Sequence, residues 1–510
     1  MNFIVCDVLV IGGGEAGLRA AIEARKQGVN VILVSKGTAG RAGASALAVG
    51  THSAITLPED SIQAFENDIL KSGRNISKRS LVNILATGSS SIISDLKELG
   101  IEMVFESDLR TPGHSFHRRW HPPSRRGVDI TLGLRKVFES IGGIIMDNTN
   151  VKDLIGDGRI YGAIAEHKNN NIALIAGKTI LATGGLGFLY RYTDNPSDVK
   201  GEGIFMAWKH GATLIDMEFV QFYPYWLVHP RSFDIGTKLF SLGAVMRNKN
   251  GERIMDKYPA KELETRDIVS RTMSLSETVY LDVSNVPKEV IKNINPRLYR
   301  VLTSNYQNEL ILNPVEHYSL GGIEIDEHCQ TSLQGLLACG ECTGGIHGAN
   351  RLGGNALTEA LVFGKIAGET AANSFEIDKS IVNHAKKIVR DIGEHVETKK
   401  NKSLIVIREL VSKYLGVTRS VKGLQYLKDI LDNDDVIAND STIHEYKVLI
   451  KLIASVCLLR KESRGAHTLT DYPEQNSAFD GNFRIRLNQD LKEEIWFSKS
   501  VVESSEGEYV

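Results

Sequence analysis

The chain has 510 residues, enough for roughly three domains with sizeable cores. Lys plus Arg number 60 against 62 Asp plus Glu, a formal charge of -2, which gives no electrostatic footprint for a nucleic-acid partner. No run of about 18 apolar residues occurs, the five cysteines are too sparse and odd in number for a disulfide framework, and the N-terminus MNFIVCDVLV lacks a basic leader. The expectation is a cytoplasmic protein without a signal peptide or a membrane span of its own.

Residues 4–11 form a β-branched apolar run that ends in Gly12, Gly13 and Gly14. A helical pattern follows to Lys26, Gly28 stops it, and residues 29–34 read as a second strand. Gly12, Gly14 and Gly17 fit G-x-G-x-x-G in the strand–turn–helix context that a dinucleotide site requires. The first glycine allows the tight turn, the second admits a pyrophosphate to the backbone, and the third lets helix and strand pack closely. The second strand ends in Ser35 and Lys36, where a generic fingerprint expects an acid. That turns the reading away from NAD and toward a flavin.

Residues 37–56 are rich in Gly, Ala, Ser and Thr and read as a loop against a ligand, and helical patterns follow over about 59–99. The basic loop 110–127 carries Arg110, His114, His117, Arg118, Arg119, His121, Arg125 and Arg126. It reads either as an anchoring, solvated loop or as a site for an anionic or phosphate-bearing ligand. Residues 130–140 look helical, 141–176 look like short strands, and 179–183 form a buried strand returning to the first sheet. Residues 222–315 look inserted, residues 380–480 are mainly helical, and the tail after about 490 reads as loose.

Several segments in order along residues 5–475 resemble the succinate dehydrogenase and fumarate reductase flavoprotein family, which includes L-aspartate oxidase. They are DMEFVQFYP from Asp216, NKNGER from Asn248, RDIVSR from Arg266, HYSLGGI from His317, HGANRLGGNAL from His347 and SRGAH from Ser463. The resemblance implies an α/β, Rossmann-like FAD-binding domain (1–221 and 316–375), an inserted α+β capping domain (222–315) and a helical C-terminal domain (376–510). It implies FAD contacts at Gly12, Gly14, Glu15, Ala16, Ser35, Lys36, Gly43, Asp216, Glu341, Ala356 and Leu357. The place of the covalent flavin histidine of some members holds Ala44 or Ser45, with His52 too far along, so non-covalent FAD is expected.

The family chemistry moves a hydride between flavin N5 and a carbon beside a carboxylate. By resemblance Arg266 is the proton carrier, and His317 and Arg351 hold a substrate carboxylate. Tyr223 stands in QFYP where the family has His, and Gly236, Thr237 and Phe240 stand where it has Thr, Glu and Arg, leaving Asp234 as the sole acid of 231–247. Thr111 stands where L-aspartate oxidase has a Glu, with Arg110 beside it, which disfavours an ammonium-bearing substrate. Cys339 and Cys342 form C-x-x-C without a second pair, so no metal site is expected, and any iron–sulfur cluster belongs to an electron-transfer partner. The favoured function is an FAD-dependent oxidoreductase acting on a small anionic substrate of the succinate or fumarate type. The alternatives are L-aspartate oxidase, a family member with a different anionic substrate, and an interaction protein that carries a flavin. With this reading goes a location in the cytoplasm, or at a membrane through a partner.

Overall fold

The computed structural model describes the chain apart from residues 305–308, 374–378, 393–402, 434–436, 438–440, 489 and 501–510. Strand Asn2–Ile11 runs into the three glycines, and Gly12 takes φ +124°, a conformation L side chains rarely adopt. Helix Glu15–Lys26 follows, and strand Val31–Val34 returns parallel to the first, pairing Val10 with Leu33. Strand Asn170–Leu181 pairs parallel on the other side, setting Val10 against Ile180. The buried segment near 180 therefore does return to the first sheet.

In spatial order this sheet runs Ile144–Met146, Val31–Val34, Asn2–Ile11, Asn170–Leu181, Ile160–His167 and Thr149–Gly156, with Leu336–Ala338 also paired to Asn170–Leu181. Its central strands read as unbroken apolar runs because both faces are covered, and Val31–Val34 is buried throughout. Helix Asn355–Ala372 lies on helix Glu15–Lys26. Gly364 and Gly368 permit this, since a Cβ at either would press on the backbone of Ala16 or Ala20.

Between residues 223 and 315 the chain builds a second core of its own around Leu227, Leu239, Phe240, Met246, Leu281 and Leu312. Its five-stranded sheet orders as Phe233–Asp234, Trp226–His229, Ile311–Leu312, Val279–Asp282 and Val245–Arg247. Val279 and Leu281 point inward and Tyr280 and Asp282 do not, the period-two pattern of a half-covered strand. The protein is thus an α/β fold with an inserted α+β cap.

Helices Ser403–Tyr414, Val421–Leu431 and Ser441–Leu459 follow. The end of the chain departs from the expectation of a mainly helical region with a loose tail. Gly481–Leu487 and Glu493–Lys499 form a hairpin that joins Leu214–Ile215, Gly322–Glu324 and Thr343–Gly344 in a mixed five-stranded sheet. The cause is alternation: Phe483 and Ile485 face Phe497 and Ile495 across the pair, with the two phenylalanine rings 5.0 Å apart. The boundary expected at 375/376 and the last ten residues lie outside the described residues. Among the described residues no helix is long and apolar enough to cross a membrane.

Candidate active site

A cavity opens at the C-terminal ends of the parallel strands, the usual ligand position in an open α/β sheet. Gly12, Gly14, Glu15, Ala16, Ser35, Lys36, Gly43, Glu341, Ala356 and Leu357 all line it. A Cβ on Gly12 would strike the Ala182 carbonyl, and one on Gly17 would strike the Gly12 carbonyl. A Cβ on Gly14 would meet only Ser45 Oγ at 3.4 Å, so the chain leaves room in front of Gly14. Helices Glu15–Lys26 and Asn355–Ala372 both begin here, capped by Gly14 and Gly354 without a side-chain acceptor. The Glu15 N–H reaches Ser45 Oγ at 3.4 Å and the Asn355 N–H the Leu352 carbonyl at 3.3 Å, and the helix dipoles favour negative charge in the cavity.

Lys36 Nζ binds Glu202 Oε1 at 2.7 Å, and Glu202 also lines the cavity, so the acid absent from the second strand comes from another element. Against the cost of burial, Lys36 and Lys200 hold the Glu202 carboxyl below its usual range. Glu341 Oε1 accepts from the Ser319 N–H at 3.0 Å, and burial pushes its pKa up to about 7.

A second cluster sits where the cap meets the sheet domain. Arg266 opens helix Arg266–Ser274 of the cap and donates from Nη1 to Gln221 Oε1 at 3.0 Å. Its guanidinium lies 5.1 Å from the Tyr223 ring, and that ring lies 5.2 Å from the His317 ring. His317 Nδ1 bonds Asp194 Oδ2 at 2.6 Å, which leaves Nε2 free to face a ligand. Arg351 is 3% exposed, stacks 4.4 Å from the Tyr318 ring and donates from Nη1 to the Leu352 carbonyl, while its buried Nε has no partner. Burial, then the charge of Arg266, pulls Arg351 down to about 10. Burial also lowers Arg266 and His317, with Asp194 pulling the other way on both. The structure therefore brings Arg266, His317, Arg351 and Tyr223 together, with guanidinium donors left for an anion.

A family model described as an FAD binding domain matches residues 7–357. The fumarate reductase (CoM/CoB) relative from Methanothermobacter marburgensis is 32% identical, covering 92% of this chain and 95% of that protein. L-aspartate oxidase of Saccharolobus solfataricus is 33% identical, covering 94% and 98%. A variant FrdA of E. coli quinol fumarate reductase superposes with a TM-score of 0.85 at 25% identity, covering 100% and 99% of the two chains. The chain belongs to the succinate dehydrogenase and fumarate reductase flavoprotein family. It is an FAD-dependent oxidoreductase, as its homologues are.

For a flavoprotein the cavity fits its cofactor: two uncapped helix starts, the space before Gly14 and a buried, unpartnered Glu15 Oε2 all face it. The Asp216 carboxylate accepts from Asn482 Nδ2 at 3.0 and 2.8 Å, and Asn482 belongs to the terminal hairpin that the sequence reading did not foresee. His52 is fully buried, with Nδ1 on the Gly50 carbonyl and Nε2 on Glu15 Oε1, so both ring nitrogens are spent.

The basic loop follows the anchoring reading. Arg118 binds Asp60 and Asp68 at 2.6 Å, Arg119 and Arg125 share Glu106, and Arg126 pairs with Asp129. His114 Nε2 sits 3.0 Å from the Gly353 carbonyl, and burial pushes its pKa down to about 4. A Cβ on Gly353 would meet Thr111 Cγ2 at 2.7 Å and Arg266 Nη2 at 3.4 Å, so a threonine and no carboxylate stands beside Arg266 there. Phe240 is a core residue of the cap, 5.1 Å from the Tyr225 ring. All five cysteines are buried free thiols. Burial raises Cys339, and pushes Cys342 to about 12, which favours the protonated thiol in both.

Two residues were missed as participants. Gln221 stood in QFYP as an unassigned letter, and Asp194 lies 123 residues from the histidine it holds. The SRGAH motif is a clasp: Ala466 N–H donates to the Ala349 carbonyl at 2.8 Å, and Arg464 binds Glu462 and Asp480. It braces the loop that carries Arg351.

Proposed function

We propose that this flavoprotein transfers a hydride between FAD and a small carboxylate substrate of the succinate or fumarate type. Bound FAD, held without a covalent link by the residues lining the cavity, supplies or accepts the hydride at N5. Arg351 offers its free guanidinium N–H groups to a substrate carboxylate. His317, turned by Asp194, offers Nε2 to the same group, and an incoming anion favours its imidazolium form. Arg266, held by Gln221, carries a proton to or from the substrate carbon, and its lowered pKa makes the neutral guanidine less costly than in water. The observation that carries the reading is the convergence of Arg266 and His317 on Tyr223, with Arg351 near enough for its charge to act on both. Electrons enter or leave through an electron-transfer partner.

The test is the flavin spectrum under anaerobic conditions. Bleaching of oxidised holoenzyme by succinate, or recovery of reduced holoenzyme on adding fumarate, supports the reading. Bleaching by L-aspartate but not by succinate would replace it with L-aspartate oxidase, a reading that Thr111 disfavours.

A further inference from the structure

Asp194 turns His317 from a loop, residues 190–195, that no helix or strand includes. One flank of the loop rests on the strand that carries His317 itself. The Glu316 N–H donates to the Tyr192 carbonyl at 2.8 Å and the Asp194 N–H to the Glu316 carbonyl at 3.2 Å. Asn195 Nδ2 donates to the His317 carbonyl at 3.1 Å. The other flank rests on helix Ser403–Tyr414, whose Arg408 lies 218 residues beyond Tyr190. Arg408 donates from Nε and Nη2 to the Tyr190 carbonyl at 3.0 and 2.9 Å, and from Nη2 to the Arg191 carbonyl at 3.2 Å. Its guanidinium also lies 3.9 Å from the centre of the Phe188 ring. Ser412 Oγ accepts the Arg191 N–H at 2.7 Å. These bonds satisfy backbone groups for which an irregular loop has no regular partner.

We propose that Arg408 and Ser412 are positioning residues for the substrate: they hold loop 190–195 so that Asp194 keeps His317 turned toward the substrate carboxylate. The inference rests on the substrate reading of the preceding section, and adds that a helix near the end of the chain carries part of the grip. The strand bonds fix the loop's register beside His317. The helix bonds fix where the loop enters, at Tyr190 and Arg191, just ahead of Asp194. The Asp194–His317 bond is 2.6 Å long, and a drift of about 1 Å ends it as a hydrogen bond. With it goes the preference for a proton on Nδ1, which leaves Nε2 to the ligand, and the nearby negative charge that favours the imidazolium. Arg191 and Glu409 also bridge loop and helix at 2.5 Å, but both side chains are about half exposed, so that pair adds little. The hold therefore rests on Arg408 and Ser412, and both act through Asp194.

The experiment titrates oxidised holoenzyme with malonate, a dicarboxylate with no CH–CH bond to oxidise, and reads the flavin absorbance. Fumarate reduction with a viologen donor supplies KM and kcat. Arg408→Ala should raise the malonate Kd and the fumarate KM by about fivefold and leave kcat within about twofold, because the grip weakens while Arg266 is untouched. Arg408→Lys should fall between, since an ammonium reaches one carbonyl but lacks the fork. Asp194→Ala should raise the malonate Kd by about tenfold or more. Adding Arg408→Ala to it should change that Kd by less than about twofold, because both act on one histidine. Ser412→Ala should raise the Kd by about threefold, and it carries the test if Arg408→Ala does not fold. Glu409→Ala should leave the Kd unchanged. Flavin content and thermal unfolding of each variant separate these effects from loss of fold. A wild-type Kd in Arg408→Ala or, where that variant does not fold, in Ser412→Ala overturns the inference and leaves the proposed function standing. So do effects that multiply in the double variant, or an equal rise in Glu409→Ala. A wild-type holoenzyme that neither binds malonate nor reduces fumarate overturns both.

Discussion

Replacing Arg351 by Gln separates function from stability in one residue. The side chain is almost wholly buried, yet its ordered hydrogen bonding is limited to the Leu352 carbonyl, and its Nε is idle. Burial and the neighbouring Arg266 both disfavour its charge, which is why its pKa falls to about 10. A group held at such a disadvantage contributes little to folding, and its donors become useful when an anion arrives. Two charge-assisted hydrogen bonds are worth about 1.5–3 kcal/mol each, and part of that is spent on desolvating the ligand. A net loss of about 3 kcal/mol, or a roughly hundredfold rise in the malonate Kd, is expected for Arg351→Gln. Arg351→Lys keeps the charge and loses the fork, so about tenfold is expected. The melting temperature of the Gln variant should stay within about 2 °C of wild type, because losing the Leu352 bond is offset by relief of the repulsion from Arg266. The assay is a flavin absorbance titration with a parallel thermal melt. Malonate binding within twofold of wild type, or a collapse in melting temperature, would refute the reasoning.

Gly17→Ala would place a Cβ on the Gly12 carbonyl, so the first helix must move off the glycine turn; the purified variant should carry little FAD, read as the flavin-to-protein absorbance ratio. Acid precipitation of wild-type holoenzyme should release all yellow colour into the supernatant, because both nitrogens of His52 are spent; a yellow pellet would mean a covalent flavin. Glu341 has a folded-state pKa raised to about 7 from the ordinary carboxylate value, so the native apoprotein holds a proton that the unfolded chain has already lost. The apoprotein should therefore lose stability as pH rises from about 4.5 to 7, and Glu341→Gln should flatten that part of its melting profile. An aromatic disulfide reagent should find no reactive thiol in the native protein and five after denaturation, all five cysteines being buried and free.

The two ends of the legibility scale are the glycine turn and Asp194. Gly12, Gly14 and Gly17 could be read directly because they fall at motif spacing between a strand and a helix that are contiguous in the chain. The inserted cap was visible because its strands keep a short alternating pattern and close on their own core. The grip of Asp194 on His317 spans 123 residues, and nothing near either residue announces it. The same holds for Asp216, whose carboxylate is held by Asn482 from a hairpin at the far end of the chain. That hairpin was itself written in the alternation of Phe483, Ile485, Ile495 and Phe497, and it was overlooked because the sequence before it reads as mainly helical. From its charge alone the basic loop could be read as an anchor or as a ligand site. Arg118, Arg119 and Arg125 are committed to Asp60, Asp68 and Glu106, carboxylates whose position only the fold reveals.

The central claim is that Arg266 moves the proton while Arg351 and His317 hold the substrate. It is tested most directly by the rate at which fumarate reoxidises the reduced flavin under anaerobic stopped flow, in wild type and in Arg266→Gln. The account predicts rapid reoxidation in the wild type, and in the variant a rate lower by about 10² to 10⁴ with malonate still binding within tenfold of wild type. Reoxidation of the variant at the wild-type rate would contradict it.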